Sequence, residues 1–296
     1  MKWSNLAEFI LLAAVWGGSF LFMRVAAPEF GPVWLIEARV VLASLALMPL
    51  VVHQGLWSVG WQHWPQLLVV GALNSAIPFV LLAYATLSLP AGFTSILNAT
   101  APLFGTAIAL IWLKEHHSVV QLLGLVLGFA GVVILLGWQP AEVTPGFMLA
   151  IAAGLSAACL YAIAAPYVRQ RMAPVPSVVV AAGSQVGAAM VLLPLLPFSI
   201  PARLPSVQAL GAVLALGLLS TALAYLLYFR LIANLGSTRA LTVTYVIPLF
   251  AMGFGVLFLD ETVTLRMGVG CGLILLGTAI ANHLLGAKTA RPVDTP

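Results

Sequence analysis

Charge is what this sequence has least of. Of its 296 residues, 7% are charged and 62% are hydrophobic. A soluble domain carries roughly 25% charged and 45–50% apolar residues. No water-soluble fold buries that much apolar surface, so the solvent must be lipid. The net charge is only +4. The basic residues sit between hydrophobic runs rather than in a patch, which excludes a nucleic-acid surface. Cysteine is almost missing. Cys159 and Cys271 lie inside apolar runs and read as small buried thiols, implying neither redox nor metal chemistry. His116 and His117 are adjacent but have no further ligands nearby in sequence, a poor metal site. Catalytic signatures are absent as well. The sequence holds no H-E-x-x-H, no G-x-S-x-G, no paired aspartates and no phosphate-binding loop. That speaks against a membrane-embedded enzyme and against ATP coupling within the chain. No cofactor is expected.

What the sequence has is long hydrophobic runs. About 20 apolar residues at 1.5 Å each cross a hydrocarbon core of about 30 Å. Ten such runs follow one another: Leu6–Ala26, Pro32–Val52, Pro65–Leu87, Ala91–Leu113, Ser118–Gly137, Pro145–Tyr167, Pro176–Leu196, Ser206–Arg230, Ser237–Leu259 and Leu265–Leu285. The first is longer than a signal-peptide core and contains Trp16, Gly17 and Gly18, so it reads as an uncleaved span. The longest connection, His53–Trp64, is rich in tryptophan and is expected to lie along the interface. Residues 287–296 read as a disordered cytoplasmic tail.

The runs are duplicated. Pro90–Glu115 and Gly236–Glu261 each carry a proline part way along and a glutamate at the far end. Pro102 pairs with Pro248 and Glu115 with Glu261 at one offset of 146 (248 − 102 and 261 − 115). The same offset pairs Gly71 with Gly217, Ser75 with Thr221, Gly105 with Ala251, Gly124 with Gly270 and Gly131 with Gly277. A gap-free register over about 60 residues is a repeated unit. It divides the chain into 1–140, with spans 1–5, and 141–286, with spans 6–10. An odd number of spans per unit makes the two halves point in opposite directions, an arrangement that puts a solute site near the midplane between them.

Orientation follows from Lys and Arg. Lys2, Lys114, Arg169, Arg171, Arg230, Arg239, Lys288 and Arg291 fall on the side of the termini; Arg24, Arg203 and Arg266 fall on the other. The bias puts both termini in the cytoplasm of a multi-pass protein of the cell (inner) membrane. Trp3, Trp34, Trp57, Trp61, Trp64, Trp112 and Trp138 fall near span ends, whereas Trp16 is mid-span and is expected to face protein or a wet cavity.

Four stretches carry a family likeness: WGGSF in the first span, LPAGFTSILNATAPLF in the fourth, WLKE followed by GLVLGFAGVVIL, and YLLYFRLIANLGSTRALTVTYVIPLFAMGFGVLFLDE. They resemble the EamA-domain family of the drug/metabolite transporter superfamily, over essentially the whole chain as two tandem repeats. The resemblance implies an all-α integral membrane protein of ten transmembrane helices in two inverted five-helix repeats. It also implies a central cavity lined mainly by spans 1, 3, 4, 6, 8 and 9, and alternating access. Members mostly export amino acids, other metabolites or lipophilic cations. The sixth span departs from the pattern, with SAACLY where the family often has a tryptophan. The expected function is export of neutral amino acids or related metabolites, with lipophilic cations as the alternative. The expected partners are a small-molecule substrate and the bilayer, with the chain as monomer or homodimer.

The candidate site follows from the paired spans. Each proline frees the carbonyl four residues earlier, that of Asn98 or Thr244, which in lipid must meet protein or cavity water. Thr94, Asn98 and Pro102 recur at i, i+4, i+8 and are expected on one cavity face; Tyr245 adds a hydroxyl in the second copy. Asn74 and Phe79 in span 3, Thr221 and Tyr225 in span 8, Trp16 and Phe20 in span 1, and Tyr161 in span 6 complete an aromatic lining. Pro102 and Pro248 are candidate hinges. Glu115 and Glu261 are read as structural or gate-forming, each placed to cap the helix that follows it. Glu37 and Arg39 lie shallow in span 2 and are expected to snorkel as anchors, with proton coupling as the alternative. Gly124, Gly128 and Gly131, and Gly268 and Gly272, form small faces suited either to contact within the chain or to a dimer seam.

Overall fold

Helix starts are written locally. Pro32, Pro65 and Pro145 occupy first-turn positions, where a missing N–H costs nothing. Ser118 and Thr264, 146 residues apart (264 − 118), each accept from the backbone N–H three residues on, Gln121 at 3.3 Å and Met267 at 3.2 Å. Ser206 and Thr144 do the same for Ala209 and Phe147. The structure, a computed structural model, describes residues 3–111, 118–137, 144–201 and 203–282. Among these there is no strand.

Nine helices among the described residues are long and apolar enough to cross a membrane. They are α1 (Trp3–Phe30), α2 (Pro32–His53), α3 (Trp64–Ser88), α4 (Ala91–Ile111), α5 (Val119–Leu136), α6 (Pro145–Arg171), α7 (Ser177–Phe198), α8 (Val207–Leu235) and α9 (Arg239–Leu259). The tenth run forms α10 (Leu265–Ala281), apolar but only 17 residues long. Its expected continuation to Leu285, like the 287–296 tail, lies outside the described residues. Between α2 and α3 a short helix, Trp57–Gln62, exposes Trp57 and Trp61, in keeping with the expected interfacial loop.

The duplicated register reappears as duplicated distortion. α3 opens into a π turn at Ala72–Ala76, and α8 into another at Leu218–Leu223. The local means differ. Pro78 lacks the N–H that would close the Asn74 carbonyl. In α8 the Thr221 hydroxyl instead donates to the Leu216 carbonyl at 2.9 Å. α4 and α9 both break just before their proline, at Ala99–Thr100 and at Val246. At the first break the Thr100 carbonyl accepts from Leu103 and Phe104, and at the second the Val246 carbonyl accepts from Leu249 and Phe250. Each of these residues is 146 positions from its counterpart (246 − 100, 249 − 103, 250 − 104).

Small residues set which helices touch. A Cβ on Gly71 would stand 2.5 Å from the Ser184 carbonyl oxygen, so α3 lies against α7 backbone to backbone. Its partner Gly217 meets Leu42 and the Arg39 carbonyl, packing α8 on α2. Gly131 meets Gly270 and Ile274, while Gly277 meets Gly124 and Gly128, so α5 and α10 form a seam related to itself by the repeat. Gly268 and Gly272 have nothing within 4 Å. The expected small face of span 10 is therefore displaced, by helical winding, onto Gly270 and Gly277.

Polar ties join other pairs. Glu8 bonds Arg230 at 2.6 Å, Ser220 donates to the Val15 carbonyl at 2.8 Å, and Glu29 accepts from the Ser206 N–H at 2.6 Å, so α1 is fastened to α8 or its N-cap at three heights. Gln185 donates to Ser75 at 3.0 Å between α7 and α3, and the Trp34 indole donates to the Leu196 carbonyl at 3.1 Å between α2 and α7.

Candidate functional site: a central cavity closed at one end

Between the two halves lies a cavity of about 760 Å³. Ten of the sixteen residues singled out in the sequence border it: Trp16, Phe20, Arg39, Asn74, Phe79, Asn98, Pro102, Tyr161, Tyr225 and Tyr245. The Trp16 and Tyr228 rings lie 5.3 Å apart across α1 and α8. Tyr228 and Ser95 were not foreseen. In α4 the bordering stripe is Ser95, Asn98, Pro102, Gly105 and Ala109, and its alternating spacing of three and four was readable as a helix face.

The other six fall elsewhere. Thr94 is fully buried, its hydroxyl donating to the Pro90 carbonyl at 3.1 Å; the cavity face runs through Ser95 instead. Thr221 is buried beside the cavity and holds Arg39 rather than lining it. Pro248 is buried in packing. Glu37 does not border the cavity and does not snorkel; it is buried, with Oε2 unpartnered. Glu261 does not cap the following helix, a task taken by Thr264, but reaches back across the molecule to α4. Glu115 lies outside the described residues.

Arg39 also overturns the snorkelling expectation. It is 4% exposed. Its Nε donates to Thr221 Oγ1 at 2.8 Å, and its guanidinium carbon sits 3.6 Å from the centroid of the Phe79 ring. The side chain turns into the protein because α2 packs on α8 at Gly217, bringing a hydroxyl within reach that sequence spacing could not show.

The two ends of the cavity differ. Lining residues that reach solvent are Ala165, Arg169, Leu241 and Asn282. They sit at the ends of α6, α9 and α10 that alternate crossing puts beside the start of α1. At the other end Phe20, Met23, Arg39, Phe79, Leu82 and Ser95 are buried. Beyond them stands a polar plug. The Ala91 N–H, first in α4, donates to both Glu261 oxygens, at 2.9 and 3.0 Å. Arg24 approaches the same carboxylate at 3.9 Å and donates to the Thr86 carbonyl. A Cβ on Gly92 would stand 2.6 Å from Met252 Cγ, so α4 and α9 are in contact there. Repeat-related positions report the asymmetry directly. Gly105 has open space around it, while its counterpart Ala251 is fully buried; Pro102 borders the cavity, while Pro248 does not.

Comparison with known proteins agrees with this architecture. The model of the EamA-like transporter family matches residues 5–137 and 148–282, so the chain belongs to that family and is a multi-pass membrane protein. An uncharacterized transporter of Archaeoglobus fulgidus is 24% identical over 279 residues, covering 94% of this chain and 98% of that one. A probable terminal-alkyne amino-acid exporter of Streptantibioticus cattleyicolor is 27% identical over 301 residues, covering 100% and 99%. A solved crystal structure superposes with a TM-score of 0.66 at 20% identity, covering 97% of this chain and 100% of that one, a likeness of fold.

Proposed function

We propose that the protein is a secondary transporter of ten spans in two inverted repeats that exports a small organic solute, neutral amino acids or related metabolites foremost. The single observation that carries this is an aromatic-lined cavity of about 760 Å³ that opens at one end and is sealed at the other by the Arg24–Glu261–Ala91 plug. The volume suits a small organic solute. The amino-acid exporter among its relatives supports that class of solute. On the Lys and Arg bias, the open end faces the cytoplasm of the cell membrane, where an exporter loads. Breaks before Pro102 and Pro248 let α4 and α9 exchange contact at one face for contact at the other. The helices fastened together, α1 with α8 and α3 with α7, move as blocks. Transport rather than catalysis is the activity.

The test is uptake into proteoliposomes, with a panel of neutral amino acids and a lipophilic cation, with and without a pH gradient. Saturable amino-acid flux is expected. Trp16→Ala and Asn98→Ala should each lower it at least about tenfold in protein that inserts normally, since each removes lining contact worth more than about 1.4 kcal/mol. Unchanged flux in both variants would refute the cavity assignment. Cation flux alone would move the reading to multidrug export.

A further inference from the structure

Among the described residues, the charges along the cavity wall are all of one sign. Its ionisable residues of fixed charge are Arg39 at the closed end and Arg169 at the mouth, with no Asp or Glu among the lining residues. Among the described residues the ion pairs are Arg24–Glu261 and Arg230–Glu8; neither involves Arg39. Glu37, two residues away, does not meet it. A buried cation is held in place only when something compensates it. Here the Phe79 face and one hydroxyl do part of that.

The two contacts also fix the geometry. The Phe79 ring backs the guanidinium, whose carbon sits over it. The Nε bond to Thr221 holds one edge of the guanidinium. Arg39 borders the cavity, and its terminal N–H groups have no hydrogen-bond partner among the described residues. A planar fork so restrained matches a carboxylate, which it can grip with two parallel hydrogen bonds. Low-dielectric walls focus the field of such a charge on whatever enters, raising the occupancy of anionic groups and lowering that of cations.

We propose that Arg39 is the carboxylate anchor of the transported solute and that Thr221 and Phe79 are its positioning residues. This rests on the transporter reading and names the group the site selects: a free carboxylate on a small amphipathic body, whose apolar part meets Trp16, Tyr161 and Tyr228. It also sets the site against lipophilic cations, whose charge would face an unneutralised arginine.

The experiment compares acids with their amides. Radiolabelled L-leucine and L-phenylalanine and their carboxamides are presented to wild-type proteoliposomes, with tetraphenylphosphonium as the cationic probe. The same panel is then run on Arg39→Gln, Arg39→Lys and Thr221→Val, each checked for monodispersity in detergent. In wild type the acids should be taken up at least tenfold more efficiently than the amides. Arg39→Gln should bring that ratio close to one. Arg39→Lys keeps the charge but loses the fork, so it should fall between. Thr221→Val should lower the ratio several-fold, a change that a purely structural defect, which slows acids and amides alike, would not produce. The wild-type comparison needs no variant, so a misfolded Arg39→Gln leaves the proposal testable. Equal uptake of acid and amide, or preferential uptake of tetraphenylphosphonium, overturns the anchor while leaving transport established. No saturable uptake of any probe overturns the anchor together with the amino-acid transporter reading.

Discussion

Gly277→Leu should destabilise the protein markedly, whereas Gly272→Leu, on the same helix, should be tolerated. In lipid there is no hydrophobic drive to press one apolar helix on another; close approach of backbones supplies the contact. At the α5–α10 seam that approach is extreme. A Cβ on Gly277 would lie 2.6 Å from the Gly124 carbonyl oxygen and from the Gly128 Cα. No side chain is available there to move aside, so the helices must separate. Separation would also strain the reciprocal contact of Gly131 with Gly270. Overpacking of cores costs about 1–3 kcal/mol, and backbone against backbone falls at or above the upper end. That corresponds to a fall in melting temperature on the order of 5–10 °C. Gly272 has nothing within 4 Å, so its leucine adds only apolar surface. The measurement is the monodisperse fraction in detergent and the melting temperature of the two variants side by side. Equal damage from both would show that the outward face of α10 is packed too, and the seam assignment would fail.

The repeat was legible in the sequence to the level of its helix breaks, and the reason is physical. A proline removes an N–H wherever it stands, so Pro102 and Pro248 imply freed carbonyls in any surroundings. The breaks at Ala99–Thr100 and at Val246 follow. Aromatic residues spaced along mid-span faces were legible for a similar reason: lipid-facing positions are cheap for aliphatics, and hydroxyl- or indole-bearing rings concentrate where a polar tip can be met. What the sequence could not supply were facts belonging to pairs of helices. Arg39 reads as a shallow, snorkelling cation until α8 is packed on α2 and presents Thr221 to it. Thr94 reads as a cavity residue because i, i+4 spacing to Asn98 is satisfied; the face that actually borders the cavity is rotated to Ser95. Glu261 reads as a cap for the helix after it, and its partner is a backbone amide 170 residues away.

A second kind of fact was unreadable in principle. Register states which residues are equivalent, not which of two equivalents is exposed. Gly105 and Ala251 occupy matching places, yet one faces open space and the other is buried. On the alternating-access mechanism proposed above, that difference belongs to the conformation, the two halves exchanging environments as access alternates. The same logic makes the sealed end the place to look for control of the exchange.

Glu261→Ala should open that end. The plug consists of one carboxylate receiving the Ala91 N–H on both oxygens at a helix start, with Arg24 at 3.9 Å. Hydrogen bonds to a charged group contribute about 1.5–3 kcal/mol each, and a carboxylate at a helix N-terminus adds roughly 0.3–1 kcal/mol. Glu261 is part of the sealed end only while α4 and α9 touch, so its contribution is differential between the two states. Losing about 1.5–3 kcal/mol of differential contact shifts a two-state equilibrium by about 10- to 100-fold. The shift can be read with a cysteine placed at Met23, which borders the cavity one residue before Arg24. With Cys159 and Cys271 replaced by alanine, a membrane-impermeant maleimide should label Met23→Cys from the side where α1 begins and scarcely from the other. Adding Glu261→Ala should raise labelling from that other side at least fivefold and lower it from the side where α1 begins. Glu261→Gln, which keeps one acceptor for the Ala91 N–H but loses the attraction to Arg24, should fall between. Labelling that stays one-sided in Glu261→Ala would mean that the contact of Gly92 with Met252 holds the end shut alone, and the carboxylate would then be a structural cap of α4 rather than a latch.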